Sequence, residues 1–276
     1  MPDADRFTRL PRALEERTII RRLASDVTPF DDGGIPALLA HPDEGWHQPG
    51  AAPTPRPVVL WLHGRTVSKE LDPGRYLRWQ RAGIATCAID LPGHGDRLEE
   101  SLQGPGTTLQ IVRQCAQEID LVLDALRNFN GAFDLERVAI GGMSAGGMVV
   151  LHRLCSDHPF VCASVEGTGG DFRAVLGERY DDTAAAIDPS LHLDGWRTIP
   201  LQALHSEADE WMPFEGIRAF VDRVRQLHAS RSDDDSIVEL HSWPETGAPA
   251  EHIGFGRFSN DAKNLQRDFY QRWLSP

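Results

Sequence analysis

No stretch of about 18 consecutive apolar residues occurs in the chain, so nothing in it reads as a membrane-spanning helix. Basic residues are scarce: 28 Lys and Arg stand against 41 Asp and Glu, a formal net charge of −13. Such an acidic surface repels phosphate backbones and anionic headgroups, which argues against nucleic acid or a membrane as partner. Cysteines are few, at positions 87, 115, 155 and 162, with no CxxC pair and no metal-ligand spacing to histidine. This excludes a disulfide scaffold and leaves buried structural thiols. No HExxH occurs and no glycine-rich phosphate loop follows a strand, so neither metal nor organic cofactor is expected. The N-terminal residues are charged throughout and lack the apolar core of a signal peptide, which points to a cytoplasmic protein.

What is present is an ordinary globular composition, 41% hydrophobic and 25% charged over 276 residues, enough to bury a sizeable core. Residues 19–28 and 35–40 read as two strands around a turn at Asp31, Asp32, Gly33 and Gly34, and the Pro- and Gly-rich stretch 41–57 as a loop. An alternation then begins. Apolar runs at 58–62, 84–89, 138–140, 161–165, 201–204 and 237–240 predict strands. Periodic segments at 73–82, 107–129, 145–157, 214–229 and 260–274 predict helices. In the 107–129 helix, Val112, Cys115, Ile119, Val122, Leu126 and Phe129 mark the buried face, with Thr107 or Thr108 as its cap. Strands alternating with helices imply an α/β protein with a mostly parallel sheet covered on both faces. The whole chain, 1–276, is expected to form one domain, with residues 167–200 long enough for a small cap.

Ligands of such sheets bind beyond the carboxyl ends of the strands. One strand end is chemically pointed. Gly142-Met143-Ser144-Ala145-Gly146 lies between a predicted strand and a predicted helix. A serine on that turn needs a strained backbone and small neighbours, and its hydroxyl emerges at a helix N-terminus that favours developing negative charge.

With His63-Gly64 directly after the strand 58–62, the chain resembles the α/β-hydrolase family over about residues 56–274. Asp90-Leu91-Pro92-Gly93-His94-Gly95-Asp96-Arg97 resembles the family's D-x-x-G-H-G loop, which implies a structural turn. His205-Ser206-Glu207-Ala208-Asp209 through Pro213 resembles H-G-x-x-D-x-x-V-P, with Ser206 in place of Gly and Met212 in place of Val. Glu251-His252-Ile253 resembles the family's G-H-x, with Glu251 in place of Gly. The resemblance implies a nucleophile at Ser144, an acid at Asp209 and a base at His252. It also implies an oxyanion hole from the backbone N–H groups of Arg65 and Ala145. Glu207 and Glu166 are rivals for the acid and His241 for the base, while His63 reads as structural. The Arg65 side chain is read either as a substrate-carboxylate ligand or as half of an ion pair.

The implied activity is that of a serine carboxylic-ester hydrolase working through an acyl-enzyme, similar to dienelactone hydrolases and acetyl-ester hydrolases that take small or medium esters. No N-terminal β-propeller is legible. The alternatives are an S9-type peptidase or amidase, and an acyltransferase on the same fold. Trp196, Trp211, Met212, Phe172 and Phe214 are candidate pocket residues, with Arg65, Trp211 and Met212 foremost. The expected partner is a small-molecule ester; oligomeric state is not legible.

Overall fold

Alternation within the apolar runs divides their side chains between two cores. In the computed structural model, which describes residues 10–25, 33–231 and 234–275, Arg56–Leu62 (β3) sends Val58, Leu60 and Leu62 to one cluster and Val59 and Trp61 to the other. Both faces of such a strand must be covered. Before it come a short helix, Arg12–Glu15 (α1), and the strands Thr18–Leu23 (β1) and Ile35–Ala40 (β2). After it come Pro73–Arg81 (α2), Ala85–Ile89 (β4), Thr108–Leu126 (α3), Phe133–Met143 (β5), Ala145–Arg153 (α4) and Cys162–Glu166 (β6). Two short helices, Phe172–Leu176 (α5) and Asp182–Ala185 (α6), precede Leu201–Ser206 (β7), Phe214–Ser230 (α7), Val238–Trp243 (β8) and Ser259–Leu274 (α8).

The strands form one eight-stranded sheet in the order β1-β2-β4-β3-β5-β6-β7-β8. β1 and β2 are antiparallel to each other, and β2 is antiparallel to β4; every pairing from β4 to β8 is parallel. Side chains of α3, α4 and α7 fill the core on one face, and those of α1, α2 and α8 fill the other. The carboxyl ends of β3 to β8 therefore share one edge of the sheet, and the residues that follow them are brought side by side.

Several boundaries differ from the sequence expectation. β5 runs from Phe133, well before the apolar run at 138–140, because Phe133 and Asp134 pair with Arg56 and Pro57 ahead of a register shift. The polar side chains of Asp134, Glu136 and Arg137 hide that pairing from a hydrophobicity pattern. α3 stops at Leu126, and Phe129 packs instead against Trp46 and Phe133. Thr107 does not cap α3 with its side chain; its hydroxyl donates to the Leu102 and Gly104 carbonyls, both at 2.7 Å. The first strand ends at Leu23, and residues 26–32, which include Asp31 and Asp32 of the predicted turn, lie outside the described residues. The four cysteines are free, and burial pushes their thiols up, Cys155 to about 12, so they are poor nucleophiles.

Residues 167–200 hold α5, α6 and three 3-10 turns. Their common anchor is Asp188, 1% exposed, which accepts from the Phe172 N–H (3.2 Å), the Tyr180 hydroxyl (3.0 Å) and the Ser190 N–H (2.9 Å). Asp188→Ala would leave these donors without their acceptor. It should destabilise the protein by about 3 kcal/mol, read as a lower midpoint in urea unfolding followed by circular dichroism. A loss below about 1 kcal/mol would mean the segment holds without this carboxylate.

Candidate active site

β5 passes into α4 through one residue, Ser144, at φ +52° and ψ −121°. Positive φ is unfavourable for a residue with a Cβ, and such strain persists only where the surroundings impose it. Here the packing does. A Cβ on Gly146 would overlap the carbonyl oxygens of Leu62 and His63, and one on Gly142 would overlap the backbone of Gly146. Only the glycines let α4 press this close to the end of β3. The Ser144 N–H donates to the Glu166 carbonyl at 2.9 Å, and the Thr168 hydroxyl donates to the Ser144 carbonyl at 2.8 Å, so neighbouring β6 fixes the turn from its other side.

Ser144 Oγ, part-buried, lies 2.9 Å from His252 Nε2, and His252 Nδ1 lies 2.8 Å from Asp209 Oδ2. A carboxylate accepts only, so Nδ1 carries the proton and Nε2 is left to accept from the serine hydroxyl. Asp209 is itself held: its other oxygen accepts from the Trp211 and Met212 N–H groups, both at 2.8 Å. His252 and Asp209 are 6% and 8% exposed, which shields their bond from water. The rival residues sit elsewhere. Glu207 accepts from Ser242 Oγ at 2.6 Å, His241 faces Glu239 at 3.1 Å, and the Glu166 carboxylate is bound by Arg75 at 2.6 and 3.0 Å.

The residues following β3 approach the same serine: a Cβ on Gly64 would stand 3.3 Å from Ser144 Cβ. The Arg65 guanidinium turns to neutral acceptors on the neighbouring loop, Gly104 O (2.8 Å), Thr108 Oγ1 (2.7 Å) and Leu102 O (2.9 Å). The loop before α3 supplies the two carbonyls that meet the fork, and no carboxylate of the described residues pairs with it. Among the described residues no group of three or more His, Cys, Asp or Glu is arranged to hold a metal ion, and no helix is long and apolar enough to cross a membrane.

The alpha/beta hydrolase family model matches residues 58–276. The chain belongs to the α/β-hydrolase family. A segment of 138 residues is 32% identical to the esterase YjfP of Escherichia coli, covering 49% of this chain and 52% of that protein, so the match spans about half of the relative's length. Among solved structures, a putative dienelactone hydrolase from Klebsiella pneumoniae superposes with a TM-score of 0.64 at 15% identity, over 93% of this chain and 98% of that one. Oligopeptidase B from Leishmania major superposes with a TM-score of 0.70 at 17% identity, over 94% of this chain but 37% of its own. At these identities the likeness concerns the α/β-hydrolase fold.

Of the five candidate pocket residues, three lie in the buried core. Phe172 is fully buried and Trp196 is 1% exposed, packed edge-on against Phe220 at 5.5 Å. Met212 is also buried, and Phe214 is half-buried beside His205. Trp211 differs: it is 57% exposed and its ring centroid lies 4.8 Å from that of His252. A bulky aromatic left open beside this hydrolase's histidine is a surface that an apolar group can cover.

Charged residues that hydrophobic patterning passed over hold the site's floor. Arg75, on the buried face of α2, binds the Glu166 carboxylate, contacts Gln266 and lies 4.3 Å over the Trp61 ring. Its one sequence signal is a charge among the buried positions Tyr76 and Trp79. Asp90, fully buried, accepts from the Lys69 N–H (2.8 Å), Lys69 Nζ (2.9 Å) and the Asp96 N–H (2.9 Å). His63 Nδ1 faces the Gly64 carbonyl at 2.6 Å and Nε2 accepts from the Leu91 N–H at 3.0 Å, so the ring braces the two loops. Burial opposes ionisation of Asp90, but the Lys69 and Asp96 N–H groups and the Lys69 ammonium overcome it and hold the carboxyl at about 2. A depressed acid contributes stability above its unfolded value near 4 and loses it as pH falls through the folded value. About 2 kcal/mol of stability should therefore disappear between about pH 4 and pH 2. Asp90→Asn should flatten that part of a stability-against-pH curve measured by chemical unfolding; an unchanged slope would place the acid sensitivity elsewhere.

Proposed function

We propose that the chain is a serine hydrolase of small or medium carboxylic esters, with Ser144 as nucleophile, His252 as general base and Asp209 as the acid that orients it. The observation carrying this reading is the unbroken line of hydrogen bonds from Ser144 Oγ to His252 (2.9 Å) to Asp209 (2.8 Å), set on a positive-φ elbow. A serine hydroxyl is a weak nucleophile at neutral pH, and an adjacent imidazole with a fixed tautomer is what such attack requires. The identity to an esterase over part of the chain supports ester chemistry.

In this mechanism Ser144 Oγ attacks the ester carbonyl carbon while its proton passes to His252 Nε2. The tetrahedral oxyanion is met by the Arg65 and Ala145 N–H groups at the α4 N-terminus. Collapse expels the alcohol, which takes the proton from the imidazolium, and leaves an acyl group on Ser144. Water then gives its proton to His252 and attacks the acyl carbon. The carboxylic acid departs and the serine proton is restored. Asp209 stays ionised and stabilises the imidazolium at both steps. Trp211 offers the substrate its apolar surface, and residues 167–200 serve as a small cap on one hydrolase domain.

Ser144→Ala should abolish hydrolysis of p-nitrophenyl esters, a loss on the order of 10⁶ in kcat, with the thermal midpoint nearly unchanged. A fluorophosphonate probe should label Ser144 alone; labelling at another residue, or an active Ser144→Ala variant, would remove the assignment. Aminoacyl-nitroanilides turned over faster than the esters would move the reading to a peptidase or amidase.

A separate comparison tests the acid. Asp209→Asn should cost roughly 10⁴ in kcat by favouring the wrong imidazole tautomer, while Glu207→Gln should cost less than about tenfold, since Glu207 is bonded to Ser242. The reverse order of effects would transfer the role to Glu207.

A further inference from the structure

The two positions at which the chain replaces a glycine of its family's motifs are bonded to each other. Ser206 stands where the pattern after His205 has glycine, and Glu251 stands where the pattern before His252 has glycine. They lie 45 residues apart, and Ser206 Oγ donates to Glu251 Oε2 at 2.7 Å. The same oxygen accepts from the Thr246 N–H (2.6 Å) and the Thr246 hydroxyl (2.8 Å), and the other accepts from the Gly247 N–H (2.7 Å). Four donors on one carboxylate hold it ionised, with its pKa drawn down to about 2 by the Ser206 hydroxyl first and the Thr246 N–H next.

The backbone explains what such a clamp is for. Ala250 and Glu251 both have φ near +50°, at 52° and 50°. Two consecutive side-chain-bearing residues in the left-handed region are unfavourable, and glycine would adopt that geometry freely. The segment Pro249–Glu251 is a single 3-10 turn, outside helix and sheet, and it delivers His252. Ser206, by contrast, is the last residue of β7, and the turn after it delivers Asp209. A second tie, from the Glu210 N–H to the Ala250 carbonyl at 3.1 Å, joins the same two loops.

We propose that Ser206 and Glu251 form a positioning clasp that locks the strained loop bearing His252 to the strand bearing Asp209. The inference rests on the reading of His252 as the general base. Neither residue touches the reacting atoms. Each departure from glycine makes sense only with the other: Glu251 carries the backbone strain, and Ser206 supplies the hydroxyl that secures its carboxylate.

The test compares Ser206→Ala, Glu251→Gly, Glu251→Gln and the Ser206→Ala/Glu251→Gly double variant on a p-nitrophenyl ester. Displacement of a base by a fraction of an ångström should lower kcat on the order of 100-fold in Glu251→Gly and about tenfold in Ser206→Ala, with KM changed less than about twofold. The double variant should be no slower than Glu251→Gly, because the pair acts as a unit. Glu251→Gln keeps one oxygen for the Ser206 and Thr246 donors and should recover most of kcat. Glycine tolerates the φ of position 251, and Ser206→Ala removes only a hydroxyl, so these variants should stay folded by circular dichroism. A kcat in Glu251→Gly within about twofold of the parent, or losses that multiply in the double variant, would overturn the clasp. A readout independent of turnover separates this from failure of the hydrolase reading: the downfield proton resonance of His252 Nδ1–H, assigned by its loss in His252→Ala. It should broaden in Glu251→Gly and persist in Glu251→Gln. A sharp resonance in Glu251→Gly would overturn the clasp even in a protein with no esterase activity, whereas an unlabelled Ser144 in the parent would count against the hydrolase reading alone.

Discussion

Gly146 lies so close to the carbonyl oxygens of Leu62 and His63 that no side chain fits between them. This contact sets the depth at which α4 sits against the end of β3, and the rest of the edge follows from it. With the helix pressed in, the one residue joining it to β5 has to turn within a single backbone unit, and Ser144 takes φ +52°. The same approach brings the loop after β3 against the elbow: a Cβ on Gly64 would stand 3.3 Å from Ser144 Cβ. A side chain at 146 would push the helix out and relax the turn. The strain at Ser144 is therefore a consequence of packing, sustained because the packing is dense on every side.

Beneath this edge lies a set of buried charges, each with a partner. Arg75 meets Glu166, Lys69 meets Asp90, and Arg97 meets Glu118. An unpaired charge at these depths would cost several kcal/mol, so these residues come in pairs and cannot be changed singly without loss. Their positions give them work beyond neutralising one another. The carbonyl of Glu166 receives the Ser144 N–H, so the ion pair that fixes Glu166 also steadies the elbow. Asp90 gathers Lys69 and Asp96, and Arg97 returns to the Asp90 and Leu91 carbonyls, which joins the loops after β3 and β4 into one layer. In a chain with an excess of acid, these few cations are spent where the strand ends must be held still.

The elements were legible where one rule dominated. Apolar runs flanked by polar turns marked the strands, and 3.6-residue periodicity marked α3 and α7, because burial on two faces or one leaves a plain mark. The serine turn was legible from its own residues, since a strand-to-helix elbow demands glycines at fixed offsets. Legibility failed where pairing overrode polarity, as in the first part of β5, where Asp134 and Glu136 sit in a strand held by Arg56 and Pro57. Phe172 and Trp196, whose aromatic character suited a pocket as well as a core, are buried in the core.

The sequence by itself determined the order of strands and helices, the location of the serine turn and a short roster of acids and histidines that could meet it, because each depends on local pattern or on residue type at fixed spacing. The tertiary structure alone decided which members of that roster meet. Asp209 reaches His252 across 43 residues and His252 reaches Ser144 across 108, while Glu207 and Glu166 are claimed by Ser242 and Arg75. Nor could the sequence pair Ser206 with Glu251, or commit the Arg65 guanidinium to a loop of carbonyls. The physical reason is that a hydrogen bond is fixed by distance and direction within an ångström, whereas the separation of two residues along the chain says nothing about that distance until the sheet has set the loops side by side.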